Sequence, residues 1–233
     1  MFRDRLDAGR RLASRLLDWR GRDAIVVALP RGGVPIGAEI AKAIQAPLDL
    51  VLVRKIGLPF QPELAVAAVV DGDEPELVLN QDIVGSITLP DGYIDGARKE
   101  ALSEIERRRA LYPGERKTAD VSGRPVIIAD DGIATGSTVR AAIHALRRKQ
   151  PSHLILAVPV APADTVDRLR PEVDDLICLE TPDPFYAISL AYEAFPQLTD
   201  EQVINILAAS PQPEKPSDRA GARTDPGQDD QAA

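Results

Sequence analysis

Apolar positions along the chain follow two alternating patterns. The fully apolar AIVVALP (24–30) and the mainly apolar runs PLDLVLV (47–53), RPVIIAD (124–130), HLILAVPVA (153–161) and DDLICLE (174–180) read as strands of a covered sheet. Between them the apolar residues recur at helical spacing. Leu12, Leu16 and Trp19 mark a helix over 7–19, VPIGAEIAKAI carries Pro35 in its first turn, and Val139, Ile143 and Leu146 share the inner face of 137–149. A long polar helix is predicted over 93–112, with Ile94, Ala97, Ala101 and Ile105 on one face and Glu104 paired to Arg108. PADTVDRLR supplies another helix between the last two strands.

The second strand is expected to end on Arg54 and Lys55, followed by a loop from Ile56 to Pro62 punctuated by Gly57, Pro59 and Pro62. LAVAAVV and ELVLN, separated by DGDEP, suggest a hairpin at the sheet margin. Strands alternating with helices predict right-handed βαβ units, hence an α/β fold with a mainly parallel sheet flanked by helices. The segment 180–209 breaks that rhythm, gathers Phe185, Tyr186, Tyr192 and Phe195, and reads as a small hood. Residues 1–209 form one domain in this reading, and 210–233, lacking large apolar residues, a disordered tail.

Composition narrows the function. Only 4% of residues are aromatic against 44% apolar, so the core rests on Ala, Val, Leu and Ile. A net charge of −8 opposes non-specific binding to nucleic acid or an anionic membrane. Any polyanionic ligand must meet a local basic cluster. The single Cys178 excludes an internal disulfide, no apolar run reaches the length of a membrane span, and the charged start MFRDRLDAGRR has no signal core. The expectation is a cytoplasmic protein without nucleic-acid or membrane partners.

One stretch looks like a site. VIIADDGIATGST (126–138) ends an apolar strand on Asp130 and Asp131, then continues through Gly132, Ala134, Thr135, Gly136, Ser137 and Thr138 into a helix. Ligands of doubly wound sheets bind outside the carboxyl ends of strands, and amides at a helix start favour a phosphate. Carboxylates repel phosphate but accept hydrogen bonds from sugar hydroxyls. Ribose 5-phosphate satisfies both halves. The plain alternative is an Asp pair in a turn with Ser137 as an ordinary N-cap. LPRGG (29–33) could likewise be only a strand-to-helix turn, and Arg54 with Lys55 only a solvated basic pair.

VIIADDGIATGST resembles the phosphoribosyl pyrophosphate (PRPP) signature of the type I phosphoribosyltransferases. LPRGG resembles the family's pyrophosphate loop, and VRKIGLPFQPE resembles the Arg-Lys pair that some members place at the diphosphate. The likeness covers residues 1 to about 208 and is nearest to a bacterial subgroup of stand-alone predicted phosphoribosyltransferases. It implies displacement of Mg-pyrophosphate from C1 by a ring nitrogen, with Mg2+ bound chiefly through the diphosphate. Asp130 and Asp131 would hold the ribose hydroxyls, Gly132, Ala134, Thr135, Gly136, Ser137 and Thr138 would line the 5-phosphate site, and Arg31, Gly32, Gly33, Arg54 and Lys55 would meet the diphosphate. The partners implied are PRPP and a small-molecule acceptor; a homodimer is compatible.

Several 6-oxopurine members carry an acid where this chain has Ala134, which removes one candidate base. Glu63 is a substitute, and Phe185 or Tyr186 could stack on a flat acceptor. His144, His153 and the ERRRA run read as surface, and Cys178 as a small buried hydrophobe. Two other functions compete: a non-catalytic sensor or regulator that binds PRPP or a nucleotide, and a receiver-type phospho-acceptor at the Asp pair. A nucleotide P-loop is absent.

Overall fold

Buried on both faces, the strand runs can pair only inside a covered sheet, and they do so in a computed structural model that describes residues 1–71, 75–112 and 119–211. The elements are α1 (Arg5–Ser14), β1 (Ile25–Ala28), α2 (Gly33–Ile44), β2 (Leu48–Leu50), β3 (Val53–Leu58), β4 (Gln61–Val70), β5 (Glu76–Leu79), α3 (Gln81–Val84) and α4 (Tyr93–Leu111). There follow β6 (Pro125–Ala129), α5 (Ser137–Arg148), β7 (His153–Val160), α6 (Ala163–Leu169), β8 (Asp175–Glu180) and α7 (Asp200–Ala209).

Five strands form one parallel sheet in the order β2-β1-β6-β7-β8. Strand residues alternate between two cores. Val26, Ala28, Ile127 and Ala129 face α1 and α2, whereas Ile25, Val27, Val126 and Ile128 face α5 and α6. The predicted α/β sheet flanked by helices is therefore the observed one, with β1 and β6 adjacent at its centre.

The stretch after β2 corrects the sequence expectation. β2 stops at Leu50, and Arg54 and Lys55 sit inside β3, the first strand of a separate antiparallel sheet ordered β3-β4-β5. The expected loop 56–62 is mostly strand, since Gly57 pairs with Ala65 and Leu58 with Gln61 across a tight turn. Register shifts flank Gly57, so the glycine marks a bulge rather than a break. The predicted β4–β5 hairpin forms, with β4 longer than expected. This small sheet packs between α4 and α5.

The first helix is shorter than expected, closing at Ser14 before a single 3-10 turn at Leu17–Trp19. Beyond β8 the chain runs through an irregular segment with one 3-10 turn (Ile188–Ala191) into α7, which carries a capping box between Thr199 and Gln202 and packs on α2. The tail expected from 210 onward lies, from residue 212, outside the described residues. Among the described residues, no helix is long and apolar enough to cross a membrane.

α1 reaches the edge of the sheet because it lies closely on α2 at Gly9. A Cβ there would stand 3.0 Å from Glu39 Cβ and 3.2 Å from Ile36 Cα, the latter a backbone atom that cannot give way. Gly9→Val should therefore lose about 1–3 kcal/mol by overpacking. Urea unfolding checks this, and unchanged stability would mean that the two helices are not held at this spacing.

Candidate active site

Two loops leave the adjacent strands β1 and β6 at the same edge and touch. Leu29 N–H donates to Ala129 O at 3.0 Å, which extends the pairing past the strand ends. Gly32 then lies directly against the Asp131 carboxylate, and Gly33 against the backbone of Ala129 and Asp130. No side chain fits at either glycine. The LPRGG turn and the acid pair, 98 residues apart between Gly33 and Asp131, thus form one surface.

Asp130 and Asp131 are partly buried. Asp130 Oδ1 accepts the Asp131 amide at 2.8 Å, and Asp131 Oδ2 accepts Arg5 Nε at 2.7 Å. The remaining oxygens, Asp130 Oδ2 and Asp131 Oδ1, take no hydrogen bond from the described residues, yet neither is a sealed, unpartnered atom. Burial holds the Asp130 carboxyl well above the ordinary carboxylate range, reinforced by the Asp131 charge and opposed by the Asp131 amide and Arg5. Burial also raises Asp131, while the Arg5 hydrogen bond and charge pull it back.

The phosphate-loop residues meet the helix in an unusual way. The N-cap of α5 is Gly136 at φ +80, and no side chain caps the helix, so Ser137 is not the cap but the first helical residue. Ile133 N–H is spent on Val160 O and Arg140 N–H on Gly136 O, at 2.9 and 2.8 Å. The amides between them, from Ala134 to Val139, meet no acceptor among the described residues. Thr135 Oγ1 and Ser137 Oγ lie 3.3 Å apart at their edge. Buried Thr165 of α6 holds the loop from beneath by donating to Ala134 O at 3.1 Å. Gly132, at φ +155, faces Ile188 and Val160 so closely that a Cβ would stand 2.6 Å from Ile188 Cγ2.

At the companion loop the Pro30–Arg31 peptide is cis. Gly33 and Val34 amides are used internally, by Leu29 O and Arg31 O, which leaves those of Arg31 and Gly32 without an acceptor among the described residues. The Arg31 guanidinium is half-exposed and only loosely paired with Asp200, at 3.7 Å. Arg54 and Lys55 reach no described carboxylate, but they stand on the small sheet and not at a main-sheet strand end. Phe185 is partly buried against the α1–α2 core, whereas Tyr186 is 78% exposed. Ala134 is exposed. The Glu63 side chain lies outside the described residues.

Sequence reasoning missed the residues that clamp the acid pair. Arg5 donates Nη1 to Pro196 O at 2.8 Å and lies over the Phe195 ring, 3.7 Å from its centroid, while bonding Asp131. Tyr192 Oη donates to Asp131 O at 2.6 Å. Their only signal is compositional: an Arg at a helix start, where cations are disfavoured, and aromatics gathered near the C-terminus. The remaining candidates behave as expected of bystanders. Burial pushes the Cys178 thiol up to about 11, His144 bonds Glu172, and Arg107 and Arg108 hold Glu104 down at about 2.

The parallel five-stranded sheet thus carries two amide-bearing loops and an acid pair together at its carboxyl edge. Residues 3–193 match the family described as "Phosphoribosyl transferase domain", and the chain belongs to that family. It is 42% identical over 207 residues, 89% of its length, to the Mycobacterium tuberculosis proteins named "Putative phosphoribosyl transferase Rv0571c" and "Putative phosphoribosyl transferase MT0597". It spans only 46% of the length of those relatives. The crystal structure of TT1426 from Thermus thermophilus is 34% identical, with TM-score 0.79 over 91% of this chain and 99% of that one.

The raised Asp130 pKa has a consequence for stability. A native pKa above the unfolded value, about 3.9, means that the native state binds this proton more tightly, so its contribution to stability falls as pH rises through that window. Asp130→Asn keeps an acceptor for the Asp131 amide and removes the buried charge. Its thermal midpoint at pH 7.5 should exceed that of the wild type, by roughly 2–4 °C for each kcal/mol recovered, and the excess should shrink at pH 4. Equal midpoints at both pH values would show that the carboxyl carries no burial cost.

Proposed function

We propose that the chain transfers ribose 5-phosphate from PRPP to a nitrogenous base, releasing pyrophosphate. The observation that carries this reading is the row of unpaired amides from Ala134 to Val139 facing the same edge as two carboxylates with one open oxygen each. The amides suit the 5-phosphate and the carboxylates suit the 2- and 3-hydroxyls next to it. Family membership supports the same assignment.

In this reading Thr135, Gly136, Ser137 and Thr138 hold the 5-phosphate at the start of α5, where the dipole favours an anion. Asp130 and Asp131 accept from the ribose hydroxyls. The C1–O bond to the diphosphate breaks, a nitrogen of the acceptor forms the new bond to C1, and the acceptor loses its proton. Positive charge that develops on the ring in the transition state lies near the two carboxylates. Arg31 and, from the small sheet, Arg54 and Lys55 would neutralise the leaving diphosphate, to which a Mg2+ bound chiefly through that diphosphate would add positive charge. The amides of Arg31 and Gly32 add donors to that side.

The acceptor is a flat base of the kind used in nucleobase salvage, with Phe185 and the exposed Tyr186 as stacking surfaces. Ala134 supplies no proton acceptor. The proton therefore leaves to another group or to water.

Titration of the protein with Mg-PRPP in a calorimeter, followed by a pyrophosphate-release assay across a panel of nucleobases, tests the assignment. Wild-type protein should bind, and at least one base should liberate pyrophosphate. Binding without release for any base would leave a PRPP sensor instead of an enzyme. Asp130→Asn, expected to fold at least as well as wild type, should bind Mg-PRPP about 10- to 100-fold more weakly, the scale of one charge-assisted hydrogen bond. Wild-type affinity in that variant would remove Asp130 from the site.

A further inference from the structure

A cation at the first position of a helix works against the helix dipole. α1 nevertheless begins with Arg5, while its capping is done by Asp4, whose carboxylate accepts the Asp7 amide at 2.8 Å. Arg5 is therefore not there for the helix. Its side chain is only 10% exposed, and burying a guanidinium is costly unless it is paired and hydrogen-bonded.

The three contacts of Arg5 fix its plane. Nε meets Asp131 Oδ2, Nη1 meets the Pro196 carbonyl, and Cζ stands over the Phe195 ring. That arrangement uses Asp131 Oδ2 and leaves Oδ1 without a hydrogen bond from the described residues. Asp131 is held from two more sides, by Tyr192 Oη at its carbonyl and by Gly32 at its carboxylate.

We infer that Arg5 is a positioning residue of the sugar-phosphate site, which keeps Asp131 charged and presents its free oxygen to a ribose hydroxyl. This rests on the function proposed above. Arg5 acts through Asp131 and not on the substrate.

The charges around the pair support the assignment. Asp130 adds a second negative group, and the Tyr192 hydroxyl, itself pushed up by burial and by Asp131, adds no positive one. Glu180 is bonded to the N-terminal amine at 2.6 Å, Arg31 is directed to Asp200, and the α1 acid Asp7 is paired with Arg11 at 2.8 Å. Arg5 is the cation that bonds the acid pair among the described residues. Without it Asp131 would lose the hydrogen bond and the charge that pull its proton affinity back against burial.

Carboxyl-carbon NMR of protein labelled at Asp, with Asp131 assigned through Asp131→Asn, measures the charge directly and needs no substrate. In Arg5→Gln the Asp131 titration should move upward by at least about one pH unit, equivalent to a tenfold change in proton affinity. A titration that stays in place overturns the inference, whatever the protein binds. A wild type that binds no Mg-PRPP, with the shift present, would instead refute the proposed function and leave the role of Arg5 toward Asp131 standing.

Where Mg-PRPP binds, folded Arg5→Gln should bind about tenfold more weakly at pH 7, and the loss should grow as pH falls toward the shifted Asp131 titration, a pH dependence that a merely structural role would not produce. If Arg5→Gln does not fold, Arg5→Lys carries the test, because its ammonium keeps the charge and loses the three-way hold. Its Asp131 titration should stay near that of the wild type while Mg-PRPP affinity falls several-fold. Wild-type affinity in folded Arg5→Lys would overturn the claim that Arg5 orients the carboxylate.

Discussion

Two neighbouring carboxylates at the edge of a sheet buried on both faces are an electrostatic cost that the rest of the chain is arranged to contain. Both are partly buried, burial raises the proton affinity of each, and the Asp131 charge raises that of Asp130 further. The containment comes from distant segments: an arginine from the first helix, a tyrosine hydroxyl from beyond the last strand, and a glycine turn without side chains from the neighbouring strand. None of these contacts is local, so the acid pair is also what ties the two ends of the domain to its middle.

The cost makes sense only beside the row of unoccupied amides that follows. A helix that begins on a left-handed glycine, with no side-chain cap, forgoes roughly a few tenths of a kcal/mol relative to a Ser or Asp cap. Strand, acid pair and open helix start lie within one stretch of sequence. Stability is given up there on both signs of charge, which the sugar phosphate of the proposed function would account for.

Much of this was legible in the chain itself. The apolar runs named the five main strands because a strand covered on both faces needs no polar alternation. The acid pair and the small-residue loop that leads into α5 were legible because small residues and paired acids at a strand end have few structural excuses. β3 was not, since Gly57, Pro59 and Pro62 read as loop punctuation whereas Gly57 serves a bulge, Pro59 lies in a tight turn and Pro62 falls within β4. Arg54 and Lys55 were therefore assigned to the wrong sheet. Arg5 escaped altogether: its partner lies 126 residues away, and nothing in the local pattern MFRDRLDAG says which charge is buried.

α5 has a second neighbour besides the loop that starts it. Along its flank Ser137, Ala141 and His144 border a cleft of about 90 Å³, opposite Ala67, Ala68 and Val78 of the small sheet. The helix is thus a rod whose tip offers amides and whose side is the bed of the hairpin carrying Arg54 and Lys55. The amide row and the hairpin with the two cations thus share one support, the same 12-residue helix.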